Sequence, residues 1–190
     1  MKFNSLILSV MLALVICSCS LNDECRIHGT LPSDKYDGNY IFLVPVFNTD
    51  SVGVDSTKIV GREFELVTSK HVVADIRLPY RVRYGIQNLL VVTEPGDVFA
   101  SIDTISKGWG TPQNDSIQMW KNSTMNFRSR YASFSRAAHE AQQSGDTVSY
   151  GAFKSQMESV REEYIRQTHA LADNMEGSIL SDFLNRQFPR

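Results

Sequence analysis

The chain is short of the residues that carry out chemistry. Its 190 residues hold three cysteines and four histidines. Cys17, Cys19 and Cys25 form no Cys-x-x-Cys pair, so the sequence contains no dithiol redox motif. His71, His139 and His169 stand at metal-ligand spacing neither from one another nor from Cys25, and no metal site is expected. Lys and Arg total 19 against 21 Asp and Glu, a formal net charge of −2. That balance lacks the basic excess of a nucleic-acid binder. Gly108-Trp109-Gly110 lacks the third glycine and the strand-to-helix setting of a dinucleotide fingerprint. The carboxylates show no spacing that would divide acid from base roles. Together these absences predict a non-catalytic protein without a cofactor.

What is present begins at the first residues. Lys2 precedes an apolar stretch at 6–16, shorter than the roughly 20 residues that cross a bilayer core, and this reads as a signal peptide. The stretch ends in Ile16-Cys17-Ser18-Cys19, which resembles the bacterial lipobox: an aliphatic residue, two small ones, then the cysteine whose thiol is alkylated to a thioether. Cleavage after Ser18 is expected to leave Cys19 as the lipidated first residue. Two or more acyl chains, at about 0.8 kcal/mol per buried methylene, hold far better than a single chain. The expected partner of the N-terminus is therefore the membrane, and the expected location is the cell envelope, at the outer membrane, facing either the periplasm or the exterior. Residues 1–18 are assigned to the signal peptide and 19–24 to a short acidic tether.

The remainder divides in two. Residues 25–113 carry short β-branched and aromatic runs separated by turn chemistry, the pattern of an antiparallel sheet. Runs fall at 26–31, 40–44, 54–60, 63–67, 72–78, 89–93 and 98–103. Gly61-Arg62 is read as the turn of a hairpin, and Pro45 as a mark of an edge strand or of the end of pairing. Residues 114–190 change period. Ile117, Trp120, Thr124, Phe127, Tyr131, Phe134, Ala138 and Ala141 line one helical face, with Asn114 or Asp115 as the cap. After Gly145-Asp146 the stepping resumes at Tyr150, Phe153, Met157, Val160, Tyr164, Gln167 and Leu171. A shorter helix is expected at 178–188. The predicted fold is α+β: an antiparallel β-sandwich or partly open barrel, then an antiparallel helical hairpin packed on itself and the sheet.

Arg26-Ile27-His28-Gly29-Thr30-Leu31, the turn at 94–97 and Gly110-Thr111-Pro112-Gln113-Asn114-Asp115 together resemble an uncharacterised N-terminal β-domain of Bacteroidetes lipoproteins, over about 25–177. In many members that domain precedes a thioredoxin-like domain of the peroxiredoxin or disulfide-reductase type. This sequence carries no such domain, so the resemblance implies a layout and a setting but no oxidoreductase chemistry.

Two residues remain as candidate contacts. Cys25 keeps the only thiol not spent on cleavage or acylation; it either pairs with another chain or packs as a small hydrophobe at the head of a strand. His28 is its only nearby base, and residues three apart on a strand point to opposite faces, so no dyad is expected unless a bulge intervenes. Trp109, between two glycines, either stacks a sugar or clamps a peptide, or else plugs the sheet onto the helices; the plug is the first expectation. His169 and Asp173, four apart, are read as an exposed hydrogen-bonded pair. The function expected from all this is a membrane-anchored binding or interaction module, with an envelope protein as candidate partner. The alternative is an accessory of an envelope thiol-redox system that works beside a separate thioredoxin-like protein.

Overall fold

The computed structural model describes residues 23–47 and 54–190. The expected signal peptide, the expected lipidation site Cys19 and most of the expected tether lie outside the described residues. The chain is α+β, with two four-stranded sheets followed by helices. The strands are β1 (Cys25–Thr30), β2 (Tyr40–Pro45), β3 (Asp55–Lys58), β4 (Glu63–Thr68), β5 (Val73–Arg77), β6 (Leu89–Val92), β7 (Gly96–Ser101) and β8 (Lys107–Trp109). One sheet runs β4-β1-β7-β8, the other β3-β2-β5-β6.

Alternation along the strands builds the core. Cys25 and Ile27 of β1, Phe64 and Leu66 of β4, and Val98 and Ala100 of β7 point inward from the first sheet. Ile41, Leu43, Ile76 and Val91 meet them from the second. Gly29 is required within this layer: the Phe64 ring lies across it, and a Cβ there would fall 1.9 Å from Phe64 Cζ.

Several pairings differ from the sequence reading. β1 and β7 are parallel, with Cys25 opposite Gly96 and Thr30 opposite Ser101, while the other strand pairs are antiparallel. Gly61 and Arg62 do form a tight turn, both at positive φ (62° and 67°), as a type I′ turn requires. The Asp37 carboxylate holds it, accepting from the Gly61 and Arg62 amides at 2.9 and 2.8 Å. Yet only Val60 and Glu63 bridge across it, and β3 and β4 then part into different sheets. The turn is a corner between layers, not the end of a hairpin ladder. β2 is internal to its sheet, so Pro45 does not mark an edge strand; it occupies the last position, beyond the final β2–β3 partners Leu43 and Asp55. β8 is an eighth strand, too short to show a period.

The helices are α1 (Pro112–Ser144), α2 (Thr147–Asn174) and α3 (Ile179–Gln187). Thr111, not Asn114 or Asp115, stands at the N-cap position of α1, without a side-chain capping hydrogen bond, and Pro112 opens the first turn. Asn114 has another task. Fully buried, its Oδ1 accepts from the Val92 amide at 2.9 Å and its Nδ2 donates to the Val92 carbonyl at 2.7 Å. The carboxamide thus pairs with the free side of β6 as a neighbouring strand would. Gln118 accepts from the Gly108 amide of β8 at 3.1 Å, and Asp115 from Gly110 at 3.1 Å. Lys121 Nζ donates to the Ser106 carbonyl, and burial pulls its pKa down to about 8. The first turns of α1 therefore close the side of the sandwich where β6 and β8 end their sheets.

Gly145 ends α1 in a left-handed cap, and Asp146 starts α2 by accepting from Ser149 at 3.0 Å. Along α2 the predicted stripe drifts: Gln167 is exposed, and Thr168 and Ala172 take the buried positions, as 3.6 residues per turn dictates. Trp120 Nε1 donates to Thr168 at 3.2 Å, and Phe127 stacks on Tyr164 at 4.6 Å. The hydrogen bonds described from α1 side chains to the β half all arise between Gln113 and Lys121. With 33 residues rising about 1.5 Å each, the helix continues far beyond that zone in the company of α2. Ile117, Ala172, Leu180, Phe183 and Leu184 form a second core with Val73 and Val92, whose side chains leave the second sheet on its outer face. The helices thus cover one face of the sandwich.

Candidate functional site

Among the described residues, the outer face of the first sheet has no such cover. Register places Glu65, His28, Phe99 and Trp109 in one row across its four strands. The His28 and Phe99 rings lie 5.5 Å apart at 25°, and Phe99 and Trp109 6.1 Å apart at 22°, which is offset stacking. Phe99 and Trp109 remain 40% and 47% exposed. An aromatic row is an unusual occupant of a solvent-facing strand surface, where polar residues cost less.

Fixed polar groups flank the row. His28 Nε2 lies 3.0 Å from Asp97 Oδ1, and Arg26 pairs with Glu65 at 2.6 Å. Thr30 and Ser101 stand side by side in the next row. A cleft of about 460 Å³ lies beside the rings, with Lys58, Val60 and Glu63 among its other lining residues. That volume falls within the range of small-ligand clefts. A second hollow of about 350 Å³ lies between α3 and the start of β5, where the Arg186 guanidinium sits 5.3 Å over the Phe47 ring and is already engaged.

Trp109 therefore does not plug the sheet onto the helices. It ends β8 on the face turned away from them, and the closing of that side falls to Asn114, Gln118 and Lys121. Cys25 lies fully buried in the core. Burial foremost, then the carboxylates Glu94 and Asp97, push its thiol up to about 11, so it is a protonated core group at neutral pH. His28 leaves the opposite face of β1, as alternation requires, and the two do not meet. The expected His169–Asp173 pair does not form. The chain after α3 returns over α2, so His169 Nε2 lies 2.9 Å from the Phe188 carbonyl and Asp173 pairs with Arg190. His71 Nε2 lies 3.1 Å from the Asp23 carbonyl, and His139 lies beside Gln143. No group of three metal-ligating side chains occurs among the described residues.

Phe99 and His28 are the members of the site that sequence reading missed. Their signal was available: Ile27 and Val98 point inward, so their neighbours His28 and Phe99 must point out. What joins them to Trp109 is the parallel register of β1 and β7, which no local pattern encodes. Comparison with protein-family models, with curated proteins and with solved structures finds no match to this chain.

Proposed function

We propose that this protein is an envelope lipoprotein, anchored through acyl chains on Cys19, that acts as a non-catalytic binding module and engages its ligand with the uncovered face of the first sheet. The observation that carries the reading is the exposed His28–Phe99–Trp109 row. The second sheet's outer face is buried by helices, whereas this one keeps large aromatic surface in water. Such surface is costly to solubility and is a common mark of an interaction site. The resemblance to the Bacteroidetes β-domain agrees with the anchor and with the order of sheet and helices. The thiol-redox alternative draws no support from Cys25, which is buried and hard to ionise.

The test is site-specific photo-cross-linking in intact cells. A photoreactive residue at Ser101, beside the row, should capture a neighbour that the same residue at Arg128 on α1 does not. Capture should be lost with Phe99→Ala. Equal capture at both positions, or capture indifferent to Phe99, overturns the binding-face reading. Mass analysis of the mature N-terminus tests the anchor separately: an unmodified Cys19 sulfur overturns it.

A further inference from the structure

We propose that the end of the sandwich opposite the N-terminal tether carries a second interaction surface, a tyrosine–arginine loop that docks an acidic segment of a partner protein. The loop is residues 78–88, which join β5 to β6. Backbone pairing fixes its place in the fold. The Gln87 amide donates to the Asp103 carbonyl at 2.9 Å and the Ile102 amide to the Thr30 carbonyl at 2.8 Å, so the loop gathers where β1 and β7 end. β1 starts at the other end, where the Gly96 amide donates to the Glu24 carbonyl at 3.0 Å and His71 contacts Asp23. The six residues of β1 put about 20 Å between the two ends. The residues from Asp23 back to Cys19 span at most roughly 14 Å, so a chain anchored at Cys19 keeps this loop turned away from its own membrane.

The loop is pinned from within. Val82 and Ile86 pack against the main core. The Val82 and Arg83 amides turn back to the Pro79 carbonyl at 3.0 and 3.1 Å, and the Ile86 amide donates to the Arg83 carbonyl at 2.8 Å. With those two apolar side chains turned in, Tyr80 and Tyr84 are left 82% and 96% exposed. Rings so exposed contribute little to the core. The Arg83 guanidinium lies 4.9 Å over the Tyr80 ring, a cation–π contact that sets the two side chains in place. A surface ordered in this way loses less freedom on binding than a loose loop. Tyr and Arg are also the residue types in which the hot spots of protein interfaces are enriched.

Charge selects the partner. Residues 77–88 contain three arginines and no carboxylate. Arg77 is partly answered by Asp75 on its own strand, whereas Arg81 and Arg83 have no carboxylate within ion-pair distance among the described residues. The segments that meet at this end, 31–40, 58–63, 77–88 and 101–107, hold seven Lys and Arg against four Asp and Glu, in a chain whose formal charge is −2. Two of those four acids are already engaged: Asp37 accepts from the Gly61 and Arg62 amides, and Asp103 from the Thr104 amide at 2.6 Å. This end is locally basic on an acidic body. Guanidinium groups without an internal partner bind carboxylates through paired N–H donors. A nucleic acid gains its affinity by neutralising many phosphates along a basic track, and three arginines do not make one.

The test is an array of short peptides graded in Asp, Glu, Lys and Tyr content, probed with the purified full chain; oligothymidylate and phosphatidylglycerol vesicles are titrated separately. Saturable binding should be confined to acidic peptides and should weaken as salt is raised. Arg81→Glu together with Arg83→Glu should weaken it roughly tenfold or more and create binding to Lys-rich peptides, a reversal that loss of folding would not produce. The same reversal at Arg128 and Arg136 on α1 should leave binding unchanged, which separates a local surface from net charge. Tyr84→Ala should weaken binding with no change of charge. Absence of peptide binding, equal loss with the α1 reversal, or tighter binding of oligothymidylate or vesicles than of any acidic peptide overturns the proposal. The titration uses neither the aromatic row nor the Cys19 anchor, so its failure leaves the proposed function standing, and failure of the Ser101 cross-link leaves this loop standing.

Discussion

The two outer faces of the sandwich have the same strand geometry and opposite fates. On the second sheet, Val73, Leu90 and Val92 project outward into a layer made by Ile117, Leu180, Phe183 and Leu184. On the first sheet, Phe99 and Trp109 project outward into water. Apolar side chains occur on both, so hydrophobicity alone does not decide which face is covered. The difference lies in the companions. The covered face carries aliphatic groups that interdigitate with helices at core density. The open face carries rings stacked on one another and fenced by ion pairs, surface that is already organised without a protein layer above it.

Breaking the covered face should cost most. Leu180→Asp places a charge at a fully buried position of the second core and is expected to lower stability by about 4 kcal/mol or more, seen as a lost or strongly shifted denaturant midpoint. Asn114→Ala should come next. It leaves the buried amide and carbonyl of Val92 without partners, a loss of about 2–3 kcal/mol, with faster hydrogen exchange at Val92 as the local sign. If that exchange is unchanged, α1 does not stand in for a strand.

A smaller effect separates the core from both faces. The Cys25 thiol ionises at about 11 in the fold against an ordinary 9.0. Between those values the unfolded chain gives up a proton that the folded chain keeps, so stability falls as pH rises through that window. Cys25→Ala removes this contribution, and its stability should decline less steeply than that of the unaltered protein over the same range, as read from denaturant midpoints. Smallest of all should be Phe99→Ala on the open face: under about 1 kcal/mol in stability, yet loss of ligand capture. A large drop in stability would mean that the row is part of the scaffold and would erase the contrast between the faces.

Much of this arrangement is legible in the residues. Period-two runs give seven of the eight strands within a residue or two, and the stepping from Ile117 onward gives both long helices and the break at Gly145. The eighth strand, Lys107–Trp109, is too short for any period. Asn114 looks like a cap because asparagine often is one; its role as a strand substitute depends on Val92, which lies 22 residues earlier and meets it only in three dimensions. The corner at Gly61-Arg62 has the composition of a hairpin, and only the layering of the sheets sends its strands apart. For the site, alternation was enough to expose His28 and Phe99, whereas their adjacency required knowing which strand lies beside β1.

That adjacency also sets an order of assembly. β1 is among the first structured segments to be synthesised, and it takes its antiparallel neighbour from Glu63–Thr68, but its parallel neighbour does not exist until Gly96–Ser101 has been made. The central seam of the sheet must therefore wait for a contact of high sequence separation, the kind that slows folding. A nascent chain interrupted before Gly96 holds β1 open along one side, and the protein's vulnerable interval is the time taken to deliver that late strand.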